Sequence, residues 1–246
     1  MKNKTLVGLI PFAALLAPAL AMAEVNQPQE IIDRPRTTPA GQITVGGDLI
    51  FQKFGDANGT ALNVGGLYGV NDKLEVGAAY AFALDEFEIK GDIGLHAAYG
   101  ILTDGNLTVA ADLGFGYNVL AEGLDPLTLG AEVQFKVNDK LAVYTPGGQL
   151  GITLEGDVKP IALNLPVGVG YQATPQIWAF VDTSIGQIEI ADSETVLFGA
   201  DVIPLGVGGF FSPSNAMDFG ARIGFDDLKE AGADFLTVTA SARLHL

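Results

Sequence analysis

Two histidines, His96 and His245, and no cysteine bound the chemistry open to this 246-residue chain. A bound metal needs about three convergent ligands, and neither a His-x-x-x-His nor a paired-Cys spacing occurs, so no metal or other cofactor is implied. The charged residues are more informative. Asp48, Glu75, Asp92, His96, Asp112 and Glu132 fall on one face of the alternating segments in the first part of the chain, and Arg222, Arg243 and His245 on the matching face of the last part. Their chemistry is electrostatic: acids and arginines at such positions either neutralise one another or hold a field that sorts ions.

The elements that must carry those residues alternate apolar with small or polar residues from Gly41 onward. The first places Ile43, Val45, Leu49 and Phe51 on one face and Thr44, Gly46, Asp48 and Gln52 on the other, then turns at Gly55–Gly59. The last places Leu236, Val238, Ala240, Ala242, Leu244 and Leu246 against Thr237, Thr239, Ser241, Arg243 and His245. About twelve such segments fit between them. Val-Asn-Asp-Lys-Leu occurs twice, at Val70 and Val137, in equivalent turn positions. The seventh segment, Leu141–Leu154, is interrupted by Pro146-Gly147-Gly148, where a bulge is expected. Pro166 interrupts the eighth, the facing of the ninth (Gln176–Ile190) is ambiguous, and the tenth spans Val196–Phe211.

Alternation of this kind suits a sheet with hydrocarbon outside and water inside. The predicted fold is all-β, a transmembrane antiparallel up-and-down β-barrel of about 12 strands. Composition agrees: 48% hydrophobic and 17% charged, with 32 glycines, which leaves lipid-facing side chains apolar and inward ones small. No segment after the N-terminal leader offers about 18 uncharged apolar residues, the requirement for a helical span. Outward aromatics form two bands near the strand ends, where rings favour the headgroup zone: Tyr68, Tyr99, Phe135, Tyr171, Phe211 and Phe219 at one end, and Phe51, Tyr80, Phe82, Phe115, Tyr117, Phe225 and Phe235 at the other.

Residues 1–23 read as a secretory signal. Lys2 and Lys4 precede a Pro-interrupted apolar stretch, Leu6–Leu20, and Ala21-Met22-Ala23 supplies a cleavage pattern. Residues 24–40, with Pro28, Pro35 and Pro39 and no period, are expected to form a flexible periplasmic segment, with a plug or a partner-binding arm as the alternative. Residues 41–246 form the barrel. The connections sort by parity into tight turns on the periplasmic side and longer acidic loops, such as Leu84–Lys90 and Asp226–Asp234, on the outer side. Acidic loops such as Asp85-Glu86-Phe87-Glu88 suit either solvation or divalent ions that bridge lipopolysaccharide. A net charge of −16 excludes nucleic acid as a partner, because phosphate binding needs clustered Lys and Arg.

The segment Asp33-Arg34-Pro35-Arg36-Thr37-Thr38-Pro39-Ala40-Gly41 and the hairpins around Tyr68–Gly77 and Val137–Val143 resemble those of Gram-negative outer-membrane β-barrel proteins of the porin-like and transporter-like class. The resemblance implies export to the outer membrane, contact with its lipid and lipopolysaccharide, insertion by the barrel-assembly machinery, and passage of small solutes. Such barrels commonly end in an aromatic residue read by that machinery; Leu246 stands here instead. In the twelve-stranded outer-membrane phospholipase a His/Ser/Asn set lies on the lipid-facing surface. Ser184 and Ser241 have no outward histidine beside them, so no catalysis is expected.

A barrel gives the inward charges two roles. Asp48, Glu75, Asp92, Asp112 and Glu132 would pair with Arg222 and Arg243 across the closing seam, Arg243 facing Asp48, or the two groups would set a transverse field across a water-filled constriction. Excess inward acid predicts cation preference in an open lumen. A closed structural or adhesive barrel without transport is the alternative.

Overall fold

Side chains of successive residues in an extended strand point to opposite faces, so period-two hydrophobicity buries one face and exposes the other. A computed structural model describes residues 25–84, 91–119, 122–124, 126–155, 161–189, 204–228 and 234–246. There the alternating segments form β1 (Ile43–Phe54), β2 (Ala57–Gly69), β3 (Leu74–Ala83), β4 (Asp92–Asp104), β5 (Leu107–Asn118), β6 (Gly123–Leu124), β7 (Leu127–Lys136), β8 (Leu141–Thr145), β9 (Leu150–Ile152), β10 (Ile161–Thr174), β11 (Ile177–Glu189), β12 (Leu205–Ser214), β13 (Met217–Phe225) and β14 (Phe235–His245). Every pairing is antiparallel and mostly between chain neighbours. β6 and β7 both pair with β5, and β8 and β9 both lie between β7 and β10, so the segments make twelve staves. β1 pairs with β14 from Thr44↔His245 to Phe54↔Phe235 and closes the ring. Closure leaves no sheet edge, as a span through hydrocarbon requires.

The barrel is inverted relative to a water-soluble domain. Its fully buried hydrophobics are Ile32, Ala98, Ala110, Ala142 and Trp178, whereas Thr44, Glu75, Asp112, Gln134, Gln172, Ser212, Asp218 and His245 are all buried. Among the described residues thirty large apolar side chains are exposed, with Ile101 at 57% and Leu95 at 53%. Burying one such side chain is worth about 1.5–3 kcal/mol, so leaving the belt in water would cost on the order of tens of kcal/mol. A hydrocarbon surround removes that cost. Tyr68, Tyr99, Phe135, Tyr171, Phe211 and Phe219 lie close to the terminal end, which carries residues 25–42 and Leu246, each 45–50% exposed.

Tight turns at this terminal end follow local chemistry. Asn71 Oδ1 accepts from the N–H groups of Lys73 and Leu74, both at 2.9 Å, and Asn138 Oδ1 accepts from those of Lys140 and Leu141, also at 2.9 Å. The repeated Val-Asn-Asp-Lys-Leu is thus one side-chain-closed turn used twice. The expected turn at Gly55–Gly59 is shorter: Phe54 pairs with Ala57, so Ala57, Asn58 and Gly59 already belong to β2.

The interruption at Pro146-Gly147-Gly148 separates β8 from β9. Gln149 repairs the ladder with its side chain. Its Oε1 accepts from the Ala131 N–H at 2.7 Å and its Nε2 donates to the Ala131 carbonyl at 2.8 Å, as a neighbouring strand would. Pro166 coincides with a register shift between Asn164 and Pro166. The ninth predicted segment resolves as β11, with Trp178 turned inward and only 4% exposed. The tenth predicted segment is described from Leu205 onward, as β12; residues 190–203, the signal segment 1–23 and the acidic loop residues 85–90 lie outside the described residues.

The segment expected to be flexible over 24–40 is described from residue 25, and residues 25–42 make ordered contacts with the strands. They fold into the terminal mouth of the barrel, where Ile31–Asp33 make a single 3-10 turn and Ile32 is fully buried.

Candidate functional site: the lumen and the segment folded into it

The N-terminal segment is fixed at two separate parts of the barrel wall. On β13, Asp218 takes the Arg34 guanidinium through two contacts, Nη1 to Oδ2 at 2.5 Å and Nη2 to Oδ1 at 2.9 Å. The Ser212 hydroxyl donates to Asp218 Oδ1 at 2.6 Å, and His245 Nε2 stands 2.8 Å from Oδ2. His245 Nδ1 lies 2.9 Å from Thr44 Oγ1, which continues the network to β1. On β3, Glu75 Oε2 accepts from the Thr38 N–H at 2.7 Å and the Thr38 hydroxyl at 2.6 Å, and Oε1 lies 3.0 Å from His96 Nε2. Both histidines of the chain therefore sit against a carboxylate that holds the segment.

Arg34 also orders its own loop, donating from Nε to the Pro28 carbonyl and from Nη2 to the Gln29 carbonyl. Between these two parts, Ile32 packs on Ala142 and Trp178. The Ile32 N–H donates to Gln172 Oε1 at 3.2 Å, and Gln134 Nε2 donates to the Ile32 carbonyl at 2.7 Å. Gln134 Oε1 accepts in turn from Arg36 Nη2. Lys136 Nζ meets Asp33 Oδ1 at 3.0 Å. Gly69 admits the segment to the wall, because a Cβ there would run into the Thr38 and Pro39 carbonyl oxygens.

Above the segment lies a cavity of about 630 Å³. Its lining includes Arg36, Asp48, Glu75, Asp92, His96, Glu132 and Arg243. Six of the eight charged or His positions expected to line the interior line this space. Asp112 is buried behind it, where Oδ2 accepts from the Gly148 N–H at 2.8 Å and the Pro146–Gly148 segment folds over its carboxylate. Arg222 lies apart and pairs with Asp182 on β11, at 2.6 and 3.1 Å. The pair reaches across β12 because Gly206 has no side chain in its path.

Arg243 does not face Asp48. The register sets Arg243 against Gly46 and Asp218, and Asp48 against Ser241. The Arg243 guanidinium instead lies over the Phe210 ring, 5.0 Å from its centroid. Phe210 stacks on Phe180 with centroids 6.0 Å apart, so an aromatic wall stands opposite the small-residue, acid-bearing wall of β1–β4. Asp182 and the anchoring role of Arg34 are absent from the expected set. Their signals are weak in sequence, one lying on a strand of ambiguous facing and the other in a segment without period.

Ser212, Asp218 and His245 contain the residue types of a hydrolytic triad in the wrong order. The carboxylate stands between serine and histidine, so the hydroxyl donates to the acid and no base addresses it. Among the described residues no group of three or more His, Asp or Glu converges as a metal site would. Burial pulls the Arg36 guanidinium below its ordinary pKa, and the nearby Glu132 carboxylate opposes that shift.

No protein-family model and no curated protein matches the sequence. Solved structures do. The KdgM porin aligns with TM-score 0.55 at 9% identity, covering 82% of this chain and 98% of its own. The NanC porin aligns with TM-score 0.56 at 11% identity, covering 82% of this chain and all of its own, 100%. At such identities the likeness is one of architecture, and the chain has the closed twelve-stranded barrel fold of outer-membrane porins.

Proposed function

We propose that this chain is a porin-like channel of the bacterial outer membrane that passes small hydrophilic solutes, with a preference for cations. The charge-lined cavity inside an apolar exterior carries this reading: Asp48 and Arg243 line it without holding the N-terminal segment, as groups that meet a passing solute would. The likeness of the fold to the KdgM and NanC porins supports it. The apolar belt would face outer-membrane lipid and lipopolysaccharide after insertion by the barrel-assembly machinery. The terminal end, with its tight turns, would face the periplasm, and residues 1–23 would direct export.

Cation preference follows from the whole set of inward charges, however they pair. Among the described residues Asp48, Glu75, Asp92, Asp112, Glu132, Asp182 and Asp218 face inward with Arg34, Arg36, Arg222 and Arg243, and acid exceeds base. The reading assigns no catalysis, since the Ser212 hydroxyl has no base to activate it.

Planar-bilayer recording of the purified full chain tests the proposal. Discrete conductance with a reversal potential on the cation side supports it. Absence of conductance, together with no swelling of liposomes in small sugars, would overturn it.

A further inference from the structure

The two arginines of the N-terminal segment are held in different ways. Arg34 is saturated: its three guanidinium nitrogens find Asp218 and two carbonyls. Arg36 is not. Its Nε is buried with no hydrogen-bond partner, and Nη2 reaches only the neutral amide of Gln134. The carboxylate nearest in charge, Glu132, lies two residues before Gln134 on the same inward face of β7 and lines the cavity beside Arg36. A guanidinium fixed for stability would take a bidentate carboxylate, as Arg34 does.

We propose that Arg36 occupies, from within the chain, a lumenal site for the guanidinium or ammonium group of a cationic solute, so that solute and N-terminal segment compete for Glu132 and Gln134. This deepens the channel reading and rests on it, because the solute reaches the site through the lumen. The lumen holds the pieces: an acid on the cavity wall, a neutral amide acceptor beside it, and a resident guanidinium that demonstrates the fit while leaving one donor unsatisfied.

Displacement has a built-in reporter. Gln134 joins Arg36 to the Ile32 carbonyl, and Ile32 packs on Trp178, the one tryptophan of the chain. When a solute takes Gln134 Oε1, the amide is drawn from the strand of contacts that seats Ile32. Trp178 then gains water.

Methylguanidinium is the probe, added to the full-length protein in detergent, with sodium chloride at matched ionic strength as the reference. The expected result is a saturable red shift of Trp178 emission that sodium chloride does not reproduce. By isothermal titration, Arg36→Gln should bind methylguanidinium at least tenfold more tightly than the native protein, with Arg36→Lys between the two. Glu132→Gln should weaken binding at least tenfold. Arg36 lies outside the barrel wall, so its variants leave the strands to fold as before; heat-modifiable migration checks this for Glu132→Gln. Equal affinity in native and Arg36→Gln protein, or an identical emission shift in sodium chloride, overturns the proposal. Conductance measured in sodium chloride alone tests the channel reading separately: saturable binding without conductance removes the channel and keeps the site, and conductance without saturable binding does the reverse.

Discussion

Arg34 and Asp218 stand 184 residues apart in sequence and meet through two charge-assisted contacts, 2.5 and 2.9 Å long, with side chains 12% and 2% exposed. The pair decides whether the N-terminal segment belongs to the barrel. Removing one partner of a buried pair typically costs about 3–5 kcal/mol, because the other charge is left without compensation. Ser212 and His245 continue to satisfy Asp218, which places Arg34→Ala at the lower end, about 3 kcal/mol. The contacts left at Ile32, Thr38 and Asp33 then hold the segment alone, so it should open more often while the strands persist. Limited proteolysis should then cleave within 25–42 in the variant and not in the native protein, and single-channel conductance should rise. Unchanged protection would place the anchor elsewhere.

Ile32 supplies the apolar part of the same attachment. It is fully buried against Ala142 and Trp178. Ile32→Ala should weaken seating by about 2–5 kcal/mol, the range for an aliphatic-to-alanine change at a packed site. Trp178 emission should move to longer wavelength, and acrylamide quenching should increase, with no change in far-ultraviolet dichroism.

The outward face and the turns are legible in the sequence because both are local. Period two alone sends Leu95 and Tyr99 to lipid and His96 and Ala98 inward, and Asn71 closes its turn with atoms two and three residues away. The segment at 25–42 is illegible for the opposite reason. A Pro-rich stretch without period looks the same whether it is solvated or threaded into a lumen, and its partners Glu75, Gln134, Gln172 and Asp218 lie on four different strands. Charge pairing inside the barrel is equally remote: it depends on register. Asp48 and Arg243 share the inward face of adjacent strands, yet Arg243 lies opposite Gly46, and its guanidinium turns to Phe210. β11 obscures Asp182 because Trp178 and Phe180, large aromatics, occupy inward positions that small residues hold on β1–β5.

The two asparagine turns make a matched pair of controls. Asn71→Ala and Asn138→Ala each remove two exposed hydrogen bonds at the terminal end, far from the cavity. Each should lower stability by about 1 kcal/mol, and the double variant by about the sum, since separated sites without shared partners add. Urea unfolding in lipid vesicles reads the stability, and conductance should stay at the native value.

Ion selectivity tests which lumenal charges remain active. Asp48 lines the cavity with no partner on the opposing strand, where Ser241 faces it. Asp48→Asn should therefore move the reversal potential in a salt gradient toward anions. Asp182→Asn should move it less, because that carboxylate is already committed to Arg222. Equal shifts from the two substitutions would mean that the Arg222 pair opens to solvent in the membrane.

Gln149 offers the sharpest separation of side-chain from backbone effects. Its amide fills the place of a missing strand residue, accepting from the Ala131 N–H and donating to the Ala131 carbonyl. Gln149→Ala leaves both groups without those partners in the barrel wall, and an unpaired buried polar group costs about 1–3 kcal/mol. Gln149→Glu keeps the acceptor and loses the donor, so its carboxylate also faces the Ala131 carbonyl. Both variants should be less stable than the native protein. Faster amide exchange at Ala131 should appear in Gln149→Ala and not in Gln149→Glu, because only the former removes the acceptor for that N–H. Protection of Ala131 in both would mean that the β8–β9 break closes by backbone pairing once the side chain is gone.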